Sequence, residues 1–461
     1  MSSDLRDRLE DLAASTSAAG PPPTDLWDRG VRRRRVERAA SGLLVLAVVL
    51  LLGLGGWGIH LSRDVQPADR HGTPHLPDRF FYDVSAWTHP FDGPPGPLVT
   101  VFPHERKALL HTTSGIVGVT ASTGTYGFLE LPDDAVSSDV TSNLLALSPD
   151  GRHLAFWVSG TPSGSPNTTM IQGETVTGVA VYDAVDGRVR ESRPATVHGL
   201  EPRALLWADD STLLFSYGQI QGRDGTQRAS SSSFGASAVW TTTSPRPQIL
   251  PENNFSTSLD NLTTRATEGE VVTRRTSPWL VADASDPTQV RSFRTDRAPD
   301  LLVLSPDHHR AVGVLTHNSN DGPLVLTRVP RGDDTTATLR RLTLGDHWTR
   351  PLAWLDNHRV AVFRQVLVRD PVNGPHVGGR LESVDLTTGG VRRLVANVGS
   401  HGTNDSDPWI ATGLLGSPSV HAEPPPAPPD LRAWTIGLGV AAALTLFFGL
   451  LVLRGTRVRR A

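Results

Sequence analysis

Four stretches of this chain repeat one pattern: LSPDGRHLAFW from Leu147, LWADDSTLLFSY from Leu206, LSPDHHRAVGVL from Leu304 and LAWLDNHRVAVF from Leu352. Each reads as apolar strand, tight polar turn, apolar strand. The turn acids are Asp150, Asp209, Asp307 and Asp356. A weaker copy, Leu259-Asp260-Asn261, falls in the widest gap, and VTVFPHERKALLH places another turn at His104. Six turns then recur at spacings of 46, 59, 51, 47 and 49 residues. Strand-rich units with a period of about 40–50 residues are the signature of propeller blades, since one such unit cannot bury its own faces and must stack on its neighbours.

The residues of the turns suit that reading. Proline presets φ, aspartate bonds back to the backbone, and glycine accepts a positive φ. After the first copy, VAVYDAVDGRVRE adds two more strands joined at Asp186-Gly187, a hairpin-favouring pair, and RLESVDLTTGGVRRLV repeats this in the last unit. Four strands per unit is the make-up of a blade. The expected fold is therefore an all-β propeller of about six four-stranded blades. Trp409–Leu415 either closes that six-bladed ring or starts a seventh, composite blade completed by Phe80–Val84.

Two apolar runs flank the repeats. Leu43–Ile59 and Trp434–Leu453 contain no charged residue, and each reaches with its flanks the roughly 20 residues that cross a bilayer core. Arg32, Arg33, Arg34, Arg35 and Arg38 precede the first run, and Arg454, Arg457, Arg459 and Arg460 follow the second. By the positive-inside bias, both ends are expected in the cytoplasm and the repeats outside, in a cell-membrane protein of two spans. The expected layout is a cytoplasmic segment at 1–41 with a short amphipathic helix, spans at 42–62 and 433–453, linkers at 63–79 and 417–432, the propeller at 80–416, and a basic tail at 454–461.

LSPDGRHLAFW followed by VAVYDAVDGRVRE resembles the WD40-like repeat of TolB-type propellers. Together with its spans, the chain resembles membrane-anchored WD40-repeat-domain proteins of high-GC Gram-positive bacteria. The resemblance is specific for a fold and says little about a ligand, because propellers host unrelated functions.

A formal net charge of -3 gives no basic footprint for nucleic acid, and the lack of cysteine removes disulfides, thiol nucleophiles and Cys-ligated metals. Gly53-Leu-Gly55-Gly-Trp-Gly58 matches a dinucleotide fingerprint in letters only, because it lies inside the first span. The sequence has no P-loop, HExxH or GxSxG motif. His308-His309 sits in a blade turn, and Asp183 with Asp186 sits in a hairpin; both read as turn chemistry before metal binding. Trp240, Trp279, Trp348 and Trp354 read as blade core. The expectation is a protein without catalytic, cofactor-binding or metal-ligating residues, and not an enzyme.

The function expected is an extracytoplasmic binding, scaffold or sensing module that meets another protein through its loops or channel. Long loops rich in Ser, Thr, Gly and Gln interrupt the blades at Thr161–Thr175 and Gln219–Ser233, and loops of that length are either functional or disordered. At the N-terminus, Leu5, Leu9 and Leu12 share a helix face, and Trp27 follows towards the arginines. That face either rests on anionic membrane lipid or docks a cytoplasmic partner. By resemblance, the docking alternative is an anti-sigma-factor-like regulator, with a sigma factor as partner.

Overall fold

A strand that is apolar on both faces needs cover on both, and here the cover is the neighbouring sheet. His153–Ser159 is buried at its first six positions and Val176–Asp183 at its first seven, so neither alternates in the manner of a half-exposed strand. The computed structural model describes residues 73–425 except 82–83, 108–111, 137–144, 168–173, 223–230, 260–263, 275–276, 316–322, 332–334, 343–348, 371–373 and 400–408. It also describes 7, 8, 10, 11 and 31, which are helical and exposed. Leu5, Leu9, Leu12, Trp27 and both apolar runs lie outside the described residues. Among those described, no helix is long and apolar enough to cross a membrane.

Blade 2 consists of Leu145–Leu147, His153–Ser159, Val176–Asp183 and Val189–Ser192. Blade 3 follows with Leu200–Trp207, Thr212–Gln221, Ser231–Thr241 and Gln248–Ile249. Blade 4 has Arg265–Thr267, Glu270–Thr273, Trp279–Asp283 and Asp286–Thr295. Blade 5 has Leu301–Leu304, Arg310–Val314, Leu324–Arg328 and Arg340–Arg341; blade 6 has Thr349–Trp354, Arg359–Asp370, Gly374–Asp385 and Val391–Gly399. In each of blades 2 to 6 these four strands form an antiparallel meander in chain order, and Thr335–Ala337 adds a fifth strand, parallel, to the outer edge of blade 4.

Blade 1 is composite. Leu98–Lys107, Thr112–Thr120 and Tyr126–Phe128 supply its outer three strands, and its innermost strand comes from the other end of the chain. Thr100 pairs with Ile410 antiparallel, the Val101 amide donates to the Trp409 carbonyl (3.1 Å), and the Ala411 amide donates to Val99 (3.0 Å). The ring therefore closes at six blades. Phe80 belongs to no seventh: the Ala396 amide donates to Asp78 (2.7 Å) and Phe80 donates back to Ala396 (3.2 Å), which adds Asp78–Phe80 to the outer edge of blade 6.

This closure corrects the turn expected at His104. That residue lies within the second strand of blade 1, opposite Gly115, because the strand before it is the borrowed one. Blade 4 departs as well. Its inner turn is Glu268-Gly269, at φ 46° and 89°, whereas Asp260 lies outside the described residues and ahead of the inner strand.

The meander order sorts the connections. Turns between first and second strands, and between third and fourth, emerge on one face of the ring, the turn face. Connections between second and third strands, and from blade to blade, emerge on the other, the loop face.

Candidate functional site

The turn acids act on their own backbone. Asp150 accepts from the Ser148 hydroxyl (2.5 Å) and the Arg152 amide (3.0 Å), and Asp307 accepts likewise from Ser305 (2.6 Å) and His309 (3.1 Å). Asp209 takes the amides of Ser211 (2.7 Å) and Thr212 (2.8 Å), and Asp356 those of His358 (2.7 Å) and Arg359 (2.8 Å). The Ser305 hydroxyl is the main influence holding the Asp307 carboxyl below its ordinary range. For Asp356, burial pushes upward but is outweighed by the His358 and Arg359 bonds, and the net shift is downward. Each turn is also tied to the end of its third strand. Ala184 donates to Arg152 (2.8 Å), Thr242 to Ser211 (2.7 Å), Ala284 to Gly269 (2.8 Å), Val329 to His309 (2.9 Å) and Leu386 to His358 (2.8 Å). Five blades thus share one non-local bond that no local sequence signal announces.

Sequence reasoning also missed a feature at two blade seams. Trp207 ends the inner strand of blade 3 and donates its indole N–H to Ala146 of blade 2 (2.9 Å). Trp354 of blade 6 does the same to Val303 of blade 5 (2.9 Å). Over Trp207 lies the ring of His153, with centroids 5.5 Å apart, and His153 Nδ1 is 3.1 Å from the Asp210 carbonyl oxygen. Over Trp354 lies Arg310, its Cζ 5.4 Å from the ring centre, and it donates to the Asn357 carbonyl (2.5 Å). The legible signal was the tryptophan before each of these two turns. Trp240, Trp279 and Trp354 are core, each 7% exposed or less, and Trp348 lies outside the described residues. His308 and His309 sit in the blade 5 turn, where His308 faces Glu270 (3.5 Å) and His309 bonds Arg331 (2.9 Å).

On the loop face, the first of the long loops expected from the sequence meets the end of blade 3's second strand; of the second, Gln219–Gln221 and Ser231–Ser233 are strand rather than loop. Ser163 and Gly164 donate to the carbonyls of Thr196 (3.0 Å) and Val197 (2.9 Å), and Asn167 donates to His198 (2.9 Å). This lays the start of the first loop along the link between blades 2 and 3. The Gln219 side chain donates to Ala195 (3.0 Å), and Asn167 reaches Gly222 (3.4 Å) at the start of the second loop. Between them opens a groove of about 500 Å³, lined by Ser163, Ala195–His198 and Gln219–Gly222. None of these lining side chains is an acid, a lysine or an arginine, and Val197 is an exposed apolar residue at 55%.

No known sequence family matches this chain, and no curated protein does. Solved structures do. TolB from Acinetobacter baumannii is similar at 12% identity over 65% of this chain and 66% of that one, with a TM-score of 0.30. An oligogalacturonate lyase in complex with manganese is similar at 12% identity over 61% and 70%, with a TM-score of 0.34. The acylaminoacyl peptidase of Pyrococcus horikoshii is similar at 11% identity over 67% and 52%, with a TM-score of 0.30. The six-bladed propeller itself rests on the sheets described above. The presence of a lyase and a peptidase among these structures corrects the exclusion of an enzyme drawn from the sequence. Missing motifs exclude particular mechanisms, and enzymes also use propeller folds.

Proposed function

We propose that this chain is a membrane-anchored, extracytoplasmic propeller that recognises another protein through its loop face. The supporting observation is the groove that the start of the blade 2 loop, the link between blades 2 and 3 and the end of blade 3's second strand line together. On the turn face the aspartates Asp150, Asp209, Asp307 and Asp356 are spent on their own turns. Anchoring is the reading of the two apolar runs and their arginine flanks, with the ring outside.

The chemistry of the groove narrows its occupant. A charged group entering it would lose water without gaining a counter-charge from the lining, so the partner presents an uncharged, extended stretch. Val197 supplies the apolar contact, and Ser163, Thr196, Gln219 and Gln221 supply the polar ones. The test is a photo-reactive residue at Val197 of the full chain in intact cells, with a second at exposed His358 on the turn face as comparison. A discrete protein adduct at Val197, lost on adding Gln221→Glu, is expected. An adduct at His358 with none at Val197 would move recognition to the turn face.

A further inference from the structure

Both seams place a nitrogen-bearing side chain over a tryptophan, yet only one of the two can change its charge near neutral pH. His153 is 7% exposed, with Nδ1 3.1 Å from the Asp210 carbonyl oxygen and Nε2 3.7 Å from an Asp183 carboxylate oxygen. A carbonyl oxygen only accepts, so Nδ1 carries the hydrogen. In the neutral ring the Nε2 lone pair then faces a carboxylate, and only the imidazolium donates to both neighbours. We propose that His153 is a proton-driven latch in the seam between blades 2 and 3. As neutral imidazole it binds the Asp210 carbonyl alone; protonated, it bridges that carbonyl to Asp183.

The seam between blades 5 and 6 shows that this architecture accommodates a cation. There Arg310 holds a permanent charge over Trp354 and binds the carbonyl of Asn357, the counterpart of Asp210. The groups facing His153 can be named from both sides. Blade 2 contributes Asp150, Arg152 and Asp183, and blade 3 contributes Trp207 and Asp210, whose carboxylate accepts from the Asp150 amide. Arg152 already grips Asp183 at 2.8–3.2 Å, so the latch shares that carboxylate with it. Burial is the largest influence on His153 and holds it below the ordinary histidine range; Asp183 and Asp150 pull upward against it. Protonation therefore falls on the acid side of about pH 6.5. The groove opens at the opposite end of this same seam, so latch and groove share one blade interface.

The test uses the full chain in detergent with carbon-13 at histidine Cε1, and His153→Arg to assign the signal. An Nδ1–H tautomer at pH 8 and a sigmoidal shift with a midpoint below 6.5, moved lower still by Asp183→Asn, are expected. His153→Arg is expected to keep the wild-type melting temperature at pH 7.5 and to lose its decline between pH 6.5 and 5. Should the arginine variant fail to fold, His153→Gln, which keeps a donor to Asp210 and cannot protonate, must lose the same decline. A signal that stays flat from pH 8 to 4, an Nε2–H tautomer at pH 8, or an undiminished decline in the substituted chain would each overturn the latch.

Discussion

In the seam between blades 2 and 3 and in the seam between blades 5 and 6, a tryptophan ends an inner strand and reaches a carbonyl of the blade before it. The inner turns of the preceding blades, 2 and 5, are Ser-Pro-Asp turns with the same hydrogen bonds. What lies beside the two turns differs. Gly151 and His308 occupy equivalent positions, at φ 74° and 56°, both in the left-handed region. Gly151 lies against blade 1, where the Leu98 amide donates to its carbonyl (2.8 Å), and a Cβ there would meet the Leu98 carbonyl oxygen at 2.0 Å. The side chain of His308 finds room beside Glu270. The comparison teaches that glycine is demanded by the neighbouring blade in one turn and only favoured by local geometry in the other.

The largest expected effect breaks that equivalence. Gly151→Ala should cost about 3 kcal/mol or more in a denaturant melt, since a backbone atom cannot move aside as a side chain can, while His308→Ala should stay within about 1 kcal/mol of wild type. A loss at Gly151 of no more than about 1–2 kcal/mol would mean that left-handed strain, and not the approach of blade 1, sets the cost.

Next in size are the seam indoles. Trp207→Phe and Trp354→Phe should each cost about 1–3 kcal/mol, because the ring packing survives while the Ala146 or Val303 carbonyl loses its donor. The two losses should be similar, and should add in the double variant, since the seams share no partner.

Acid separates the seams. His153 has a lowered proton affinity in the folded chain, so its contribution is whole above about pH 6.5 and is lost as pH falls from there towards the folded value. The turn carboxylates work lower. Asp183, Asp307 and Asp356 are depressed, so they stabilise above about pH 4 and lose that contribution as pH falls through their folded values. Melting temperatures taken from pH 8 to 3 should therefore decline in two limbs, and only the lower one should survive in His153→Arg.

The smallest change sharpens the first comparison. His308→Gly relieves a left-handed side chain but removes the contact with Glu270 and loosens the unfolded chain, so a gain of no more than about 1 kcal/mol is expected. A loss above that size, read by the same melts, would show that the Glu270 contact outweighs the backbone relief.

The regular blades were legible because their marks are local. Asp150, Asp209, Asp307 and Asp356 bond within their own turns, so a few residues of sequence carry both the residue and its partner. Blade 1 and blade 4 were not, for two separate reasons. His104 looked like a turn because the strand that precedes its own in space comes from Trp409–Ala411, some three hundred residues away along the chain. Asp260 matched a pattern that blade 4 realises later with Glu268-Gly269, both at positive φ and with no turn aspartate. Around the groove, length and composition picked out the loop that begins at Thr161, but not that its start lies along the link Ala195–His198 and beside the end of blade 3's second strand.

By itself, the sequence determined the unit: strand, polar turn, strand, repeated until the chain must stack into a ring, because continuous apolar strands need cover on both faces. It also determined which residues cap those turns, since such bonds span two or three positions. Only the tertiary structure decided that the ring closes at six, that Trp207 and Trp354 sew neighbouring blades together, and that a histidine stands in one seam where an arginine stands in the other. Those are contacts between segments remote in sequence. Their partners are chosen by how the blades lie against one another, and no window along the chain contains both sides.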